Sequence, residues 1–329
     1  MRFCVVGAGA IGAYVGAQLQ RSGADVAFIA RGAHLEALQK EGLTVNEPGH
    51  SYHLDVAAYE SGMRLPGIDA VLLAVKSHQV AHAVLAVTAL YGRDTIVVTL
   101  QNGVPWWYPF RHPVAAGWSI ESVDAGGAIA AALDPQRAVG CAVYFSAHIA
   151  RPGVVNHTND RGLVLGEPAG GASQRVDALV DALRRADFDA RADAHIRAEI
   201  WSKLLGNVNF NPISALTRAY IGEIASDAQT AEVVREMMDE ALAVATALGD
   251  APGISIDNRI ATSPRSGNVR TSMLQDVEAG RRLEIGPIIG AVVELADRTA
   301  TPVPLTRRIL ALAVLLDRSI ARQRNEASR

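Results

Sequence analysis

Cysteine is nearly absent: Cys4 and Cys141 are the only two in 329 residues, and they lie far apart. That spacing excludes a disulfide framework and a cysteine-built metal site, and Cys4 falls where a small apolar strand residue is expected. Long apolar runs are also missing. Stretches such as 309–316 are far too short to cross a bilayer. Neither sign of charge is in excess, with 31 Lys and Arg against 34 Asp and Glu and a net charge of -3. So balanced a surface recruits neither nucleic acid nor an acidic membrane, whereas a small anionic ligand needs only local positive charge. The hydrophobic share of 49% and the charged share of 20% are those of a soluble globular protein, here placed in the cytoplasm. The length suits two domains.

The first informative stretch is Gly7-Ala8-Gly9-Ala10-Ile11-Gly12, which follows an apolar run over 3–6 and precedes a helical pattern over 11–21. A G-x-G-x-x-G between strand and helix is the fingerprint of a dinucleotide site. Gly7 allows the tight turn, Gly9 lets the backbone approach a pyrophosphate, and Gly12 lets the helix pack close to the strand. The phosphates then meet the helix N-terminus and its unpaired N–H groups. Arg2 before the apolar run imitates a secretory signal, but glycines at fixed offsets interrupt the apolar core that a signal needs.

Strands are expected at 25–30, 70–75 and 95–100, alternating with helices at 34–41 and 79–90. Continuously apolar strands alternating with helices indicate a parallel sheet covered on both faces. From Gly126 shorter runs follow, at 141–146, 154–157 and 163–166, and are expected to extend the sheet as antiparallel strands. A helix at 173–186 and a strand at 188–191 complete the first domain. Beyond Asp193 the pattern is helical almost to the end. The expected class is therefore α/β, a Rossmann-type doubly wound domain over 1–192 followed by an all-helical substrate domain over 193–329. The charged tail after Arg322 is expected to be disordered.

The acidic residue that binds the ribose 2′-OH of NAD, roughly 20 positions past the glycines, is missing. Arg31 stands there, and a guanidinium can pair with the 2′-phosphate of NADPH. Lys76 and Gln79 follow the strand at 70–75, and Gln101-Asn102-Gly103 follows the strand at 95–100. Ligands of open parallel sheets bind at such C-terminal strand ends, although a solvated lysine and a plain Asn-Gly turn would look the same.

In 196–211, Lys203, Asn207 and Asn211 fall at i, i+4 and i+8, so one helical face carries a cation and two amides. Ile200, Leu204 and Val208 form an adjacent apolar stripe. Polar groups beside a buried stripe need partners, and a ligand is one; a solvated face is the other reading. His78 and His82 lack the glutamate and third ligand of a zinc site. Trp106-Trp107 reads as packing or a loop anchor. The apolar run 309–316 packs within the helical domain, and part of it can bury against a second copy in a homodimer.

Taken together, four elements resemble the ketopantoate reductase family: the glycine motif with Arg31, Leu100-Gln101-Asn102-Gly103, Arg197-Ala-Glu-Ile-Trp-Ser-Lys203-Leu204 with its downstream asparagines, and Thr271-Ser272-Met-Leu-Gln-Asp276 followed by Glu284. The resemblance implies reduction of a 2-keto acid, with 2-dehydropantoate leading, by hydride from NADPH. It implies that Lys203 is the general acid and that Glu284 orients substrate and lysine. It further implies that Asn102 and Asn207 assist, that Asn211 and Ser272 contact substrate, and that the glycine loop (Gly7, Ala8, Gly9, Ala10, Ile11, Gly12) with Arg31, Lys76, Gln79 and Asn102 holds the cofactor. A nearby ammonium can stabilise and then protonate the carbonyl oxygen as hydride adds. The family continues after the glutamate with an aspartate and then Asn-Gly, where this chain has Gly286 and Ile289. Those replacements are expected to strip two polar groups from the substrate pocket, and the segment between Val104 and Cys141 is longer than the family's. A reductase of another branched or apolar keto acid is the near alternative. A non-catalytic NADPH-binding sensor is the distant one, and retention of Lys203 with Glu284 argues against it.

Overall fold

Strand β1 (Arg2–Val6) is buried from Phe3 onward, as a strand covered on both faces must be. In the computed structural model, which describes residues 1–327, it lies within a sheet that is ten-stranded over those residues. The chain runs on through α1 (Ala10–Arg21), β2 (Asp25–Ile29), α2 (Gly32–Glu41), a hairpin of β3 (Leu43–Glu47) and β4 (His50–Leu54), and β5 (Ala57–Tyr59). It then forms β6 (Ala70–Leu73), α3 (Val80–Thr88), β7 (Ile96–Thr99), α4 (Ala128–Leu133), the long strands β8 (Ala138–Arg151) and β9 (Val154–Gly166), α5 (Gln174–Arg185) and β10 (Asp189–Ala192). The order is β4-β3-β9-β8-β7-β6-β1-β2-β5, with β10 beside β9. From β5 to β8 all neighbours are parallel. The chain steps outward from β1 to β2 and β5, then returns to β6 on the other side of β1. That reversal is the topological switch point of a doubly wound sheet.

The sheet curls, so that α1 touches β1 and β2 on one side and β3, β8 and β9 on the other. Its residues from Gly12 to Leu19 are all buried. A polar cluster bolts the curl shut. The Tyr14 hydroxyl (2.7 Å), Gln18 amide (3.2 Å) and Arg161 guanidinium (3.0 Å) all donate to the Glu47 carboxylate, which is 7% exposed. Tyr14 stacks on His157 at 4.3 Å, and burial together with the Glu47 bond pushes its phenol far above the usual range.

Contacts divide the chain into two units, the first comprising Met1–His112 and Gly126–Arg197, the second Pro113–Ala125 and Ala198–Arg329. The second contains α6 (Ile196–Thr217) from Ala198 on, α7 (Ile221–Ser226), α8 (Ala228–Leu248), α9 (Ile256–Thr262), α10 (Ser272–Glu278), α11 (Ala291–Arg298) and α12 (Pro304–Ala327). Phe210, Ile213, Val234, Met237 and Met238 form part of its core. Buried Glu240 on α8 accepts the Leu305 and Thr306 N–H groups at 2.9 and 2.8 Å, satisfying the start of α12. None of the described helices is long and apolar enough to cross a membrane.

Several expectations need correction. The break falls at 197/198 rather than 192/193, and 113–125 belongs to the second unit. The strands β3 to β5 are additional to the expected ones; His50-Ser-Tyr-His shows no apolar alternation because it is a polar, half-solvated edge. The short runs at 141–146, 154–157 and 163–166 are pieces of β8 and β9, antiparallel to each other and interrupted by bulges near Tyr144 and Ile149. The tail past Arg322 continues α12 to Ala327; residues 328 and 329 lie outside the described ones.

Replacing Glu47 with Ala leaves three donors without their acceptor. The expected loss is about 3 kcal/mol in urea unfolding, against about 1 kcal/mol for Tyr14→Phe, which leaves the carboxylate two partners. Equal, small losses would show that the cluster does not hold α1.

Candidate active site

The carboxyl ends of four adjacent parallel strands gather the cofactor candidates of the first unit. Gly7 follows β1, Arg31 follows β2, Lys76 lies three residues past β6 with Gln79 beyond it, and Asn102 lies three past β7. Gly7 has φ +96°, and a Cβ there would meet Val75 Cγ1 at 2.6 Å. At Gly12 a Cβ would meet the Gly7 carbonyl oxygen at 2.4 Å and Val5 at 2.8 Å. Gly9 is different: a Cβ would meet nothing within 4 Å. Gly9 is also the N-cap of α1, without a side-chain cap, so Ala10, Ile11 and Gly12 begin a helix whose first N–H groups are left to a ligand or water. Tight glycines around one open glycine fit a cradle for phosphate oxygens.

Arg31 is exposed at the N-cap of α2, a helix with no acidic residue in its first turn. Lys76, Gln79 and Asn102 are half-buried. Gln101 ties the strand ends together, its amide donating to the carbonyls of Leu73 (2.7 Å) and Val75 (3.1 Å). His34, unnoticed in the sequence because one histidine in a helix carries no pattern, braces the same loops. Its Nδ1 accepts the Gly153 N–H at 3.1 Å from the β8–β9 turn. Burial lowers its pKa, opposed by a contact with the Ala8 backbone, so the ring is held neutral.

In the second unit Lys203 and Asn207 are half-buried and Asn211 is 4% exposed, on one face of α6. The neighbouring stripe is in the core, with Ile200, Leu204 and Val208 at 8%, 1% and 0%. Pro212 lies inside α6 and cannot donate to the Val208 carbonyl. Ser272 is the exposed first residue of α10, whose cap is Thr271, accepting the Leu274 N–H at 3.0 Å. Buried Asp276 holds Arg281 at 2.9 Å, and Asp317 accepts the Leu283 N–H at 2.8 Å; these bonds fix the backbone leading to Glu284. Glu284 is 9% exposed and immediately precedes Ile285 and a π-turn over Gly286–Gly290, a helix irregularity frequent at functional sites.

The structure assigns Gly286 and Ile289 another role than that expected. Ile289 is 0% exposed, a core residue rather than a pocket wall. A Cβ on Gly286 would lie 2.3 Å from the Ser122 carbonyl oxygen. The long segment and the missing polar side chain are thus one feature, because backbone from 113–125 takes the space. Arg197 proves structural, its guanidinium donating to the carbonyls of Tyr108 (3.1 Å) and Phe110 (2.6 Å). Trp107 is packing, fully buried, with its indole N–H on Thr99 at 2.9 Å. Among the described residues no group of three or more His, Cys, Asp or Glu could hold a metal ion.

Comparison with known proteins gives a consistent result. Residues 3–170 match the family model Ketopantoate reductase PanE/ApbA, and residues 195–316 match Ketopantoate reductase PanE/ApbA C terminal. The chain is 42% identical over 316 residues to a 2-dehydropantoate 2-reductase of Mesorhizobium japonicum, covering 95% of this chain and 96% of that protein. It is similar in structure to a Ralstonia solanacearum protein (TM-score 0.92, 36% identity, 97% and 98% coverage). The 2-dehydropantoate 2-reductase of Geobacter metallireducens is similar too (TM-score 0.84, 28% identity, 97% and 100% coverage).

The glycine geometry separates two substitutions. Gly12→Ala is expected to destabilise by about 2–3 kcal/mol, since its methyl meets backbone that cannot rotate away. Gly9→Ala, with open space, should shift stability by less than about 0.5 kcal/mol. Equal melting temperatures for the two variants would contradict the packing of α1 described above.

Proposed function

Because the chain belongs to the ketopantoate reductase family, we propose that it reduces 2-dehydropantoate to pantoate with NADPH, in the cytoplasm. It is an oxidoreductase, and the observation that carries the reaction is the α6 face of Lys203, Asn207 and Asn211 in the unit that also holds Glu284. The nicotinamide, when bound, supplies the hydride. Lys203 donates a proton to the oxygen that gains charge, and Glu284 orients substrate and favours the charged lysine. Asn207 and Asn102 assist, and Asn211 and Ser272 hold the substrate. The dinucleotide phosphates lie against Gly7 to Gly12, where Gly9 leaves room, with Lys76, Gln79 and Asn102 as further contacts. Arg31 pairs with the 2′-phosphate, which supports NADPH over NADH. A homodimer through α12 fits the exposure of Leu312 and Leu315, at 51% and 64%.

Gly286 faces the chain's own backbone and Ile289 lies in the core, so neither position is open space for a larger apolar substrate group. This favours 2-dehydropantoate over a more apolar keto acid. Two measurements check the reading. In a panel of 2-keto acids, 2-dehydropantoate is expected to give the highest kcat/KM; a longer apolar keto acid in first place would favour the paralogous reductase. Arg31→Ala is expected to raise the NADPH Michaelis constant roughly tenfold or more, the size of one charge-assisted phosphate contact, and to leave that of NADH unchanged. An unchanged NADPH value would remove Arg31 from the cofactor site.

A further inference from the structure

The α11 carboxylate of Glu294 does unusual work for a helix residue. Its Oε1 accepts the Glu121 N–H at 2.8 Å, and its Oε2 accepts the Ser122 N–H at 3.0 Å and the Ser122 hydroxyl at 2.9 Å. Arg298, one turn further, lies 3.7 Å from the same carboxylate, donates to the Ser119 carbonyl at 2.7 Å and covers the Trp118 ring at 5.4 Å. The strap over 118–124 is thereby clasped from one helix and closed on itself by the Val123 and Asp124 N–H groups, both donating to the Ile120 carbonyl. Ile120 and Asp124 are buried at 3% and 4%.

With its N–H and hydroxyl fixed, Ser122 presents its carbonyl oxygen to Gly286, where only a hydrogen fits, and its Cβ to Gly290, where an added methyl would lie 3.2 Å away. Glycine at both ends of the π-turn weakens the helix, and alanine would suit it better. The chain accepts that cost and gains a seat for Ser122. Glu284 stands two residues before that seat, so the place where the turn begins sets where its carboxylate is held. Local rules broken without local benefit tend to mark functional sites.

We propose that Glu294 is a positioning residue for Glu284, acting through Ser122 and the π-turn; this rests on the reading of Glu284 as a substrate-orienting group. The test uses the full-length enzyme and four variants, Glu284→Gln, Glu294→Ala, Glu294→Gln and Gly286→Ala, each measured for keto-acid KM, kcat, NADPH dissociation constant and melting temperature. Glu294→Ala and Gly286→Ala are each expected to raise the keto-acid KM about tenfold, with kcat changed less than about threefold and NADPH binding unchanged, the pattern of a weakened substrate contact with Lys203 left in place. Glu294→Gln, which keeps an acceptor oxygen, is expected to lose less. The Glu294→Ala and Gly286→Ala effects should not add, because both act through Ser122. An unchanged KM in Glu294→Ala, or a fall in kcat alone that follows the folded fraction, overturns the inference. If Glu284→Gln itself leaves KM and kcat unchanged, the reading of Glu284 fails first; an effect there with none from Glu294 overturns only the positioning role.

Discussion

Helix α1 approaches the sheet so closely that two of its positions admit no side chain. A Cβ at Gly12 would meet the Gly7 carbonyl, and one at Gly16 would lie 2.4 Å from the Phe28 ring. This approach sets the direction of the helix, and with it the place where unpaired N–H groups emerge beside the carboxyl ends of β1, β2, β6 and β7. The curl of the sheet and the Glu47 cluster follow from the same requirement. A helix buried along its length needs partners for every polar group it carries inward, and Tyr14 and Gln18 find theirs in one carboxylate.

The second unit solves a related problem with backbone rather than side chains. Its irregular strap has no periodic apolar pattern, yet Glu294 satisfies its N–H groups as a ligand would. The glycines at 286 and 290 show what that arrangement requires. An absent side chain that looks like a lost polar contact is filled by the chain's own carbonyl.

Much of this is legible in the sequence. Val71-Leu-Leu and Ile96-Val-Val are apolar on every residue, so burial on both faces was readable, and the i, i+4 rhythm of Lys203, Asn207 and Asn211 placed them on one helical face. The glycine spacing located the turn after β1. What stayed hidden has a physical cause in each case. Edge strands such as His50–Leu54 bury too little to show alternation. The bulged tips of β8 and β9 break the period of two. Unit membership of 113–125 depends on contacts with residues some 170 positions away, which no local pattern records. Gly286 looks in sequence like a lost polar contact because a comparison of side chains cannot see a backbone neighbour.

The central claim is that Lys203 supplies the proton for reduction by NADPH. Steady-state NADPH oxidation with 2-dehydropantoate, run for the wild type and for Lys203→Ala beside a direct measurement of NADPH binding, tests it most directly. The account predicts a loss in kcat of about a hundredfold or more with NADPH binding intact, the usual size of a general acid's contribution. Turnover that survives the substitution, or no turnover by the wild type on any 2-keto acid, would contradict it.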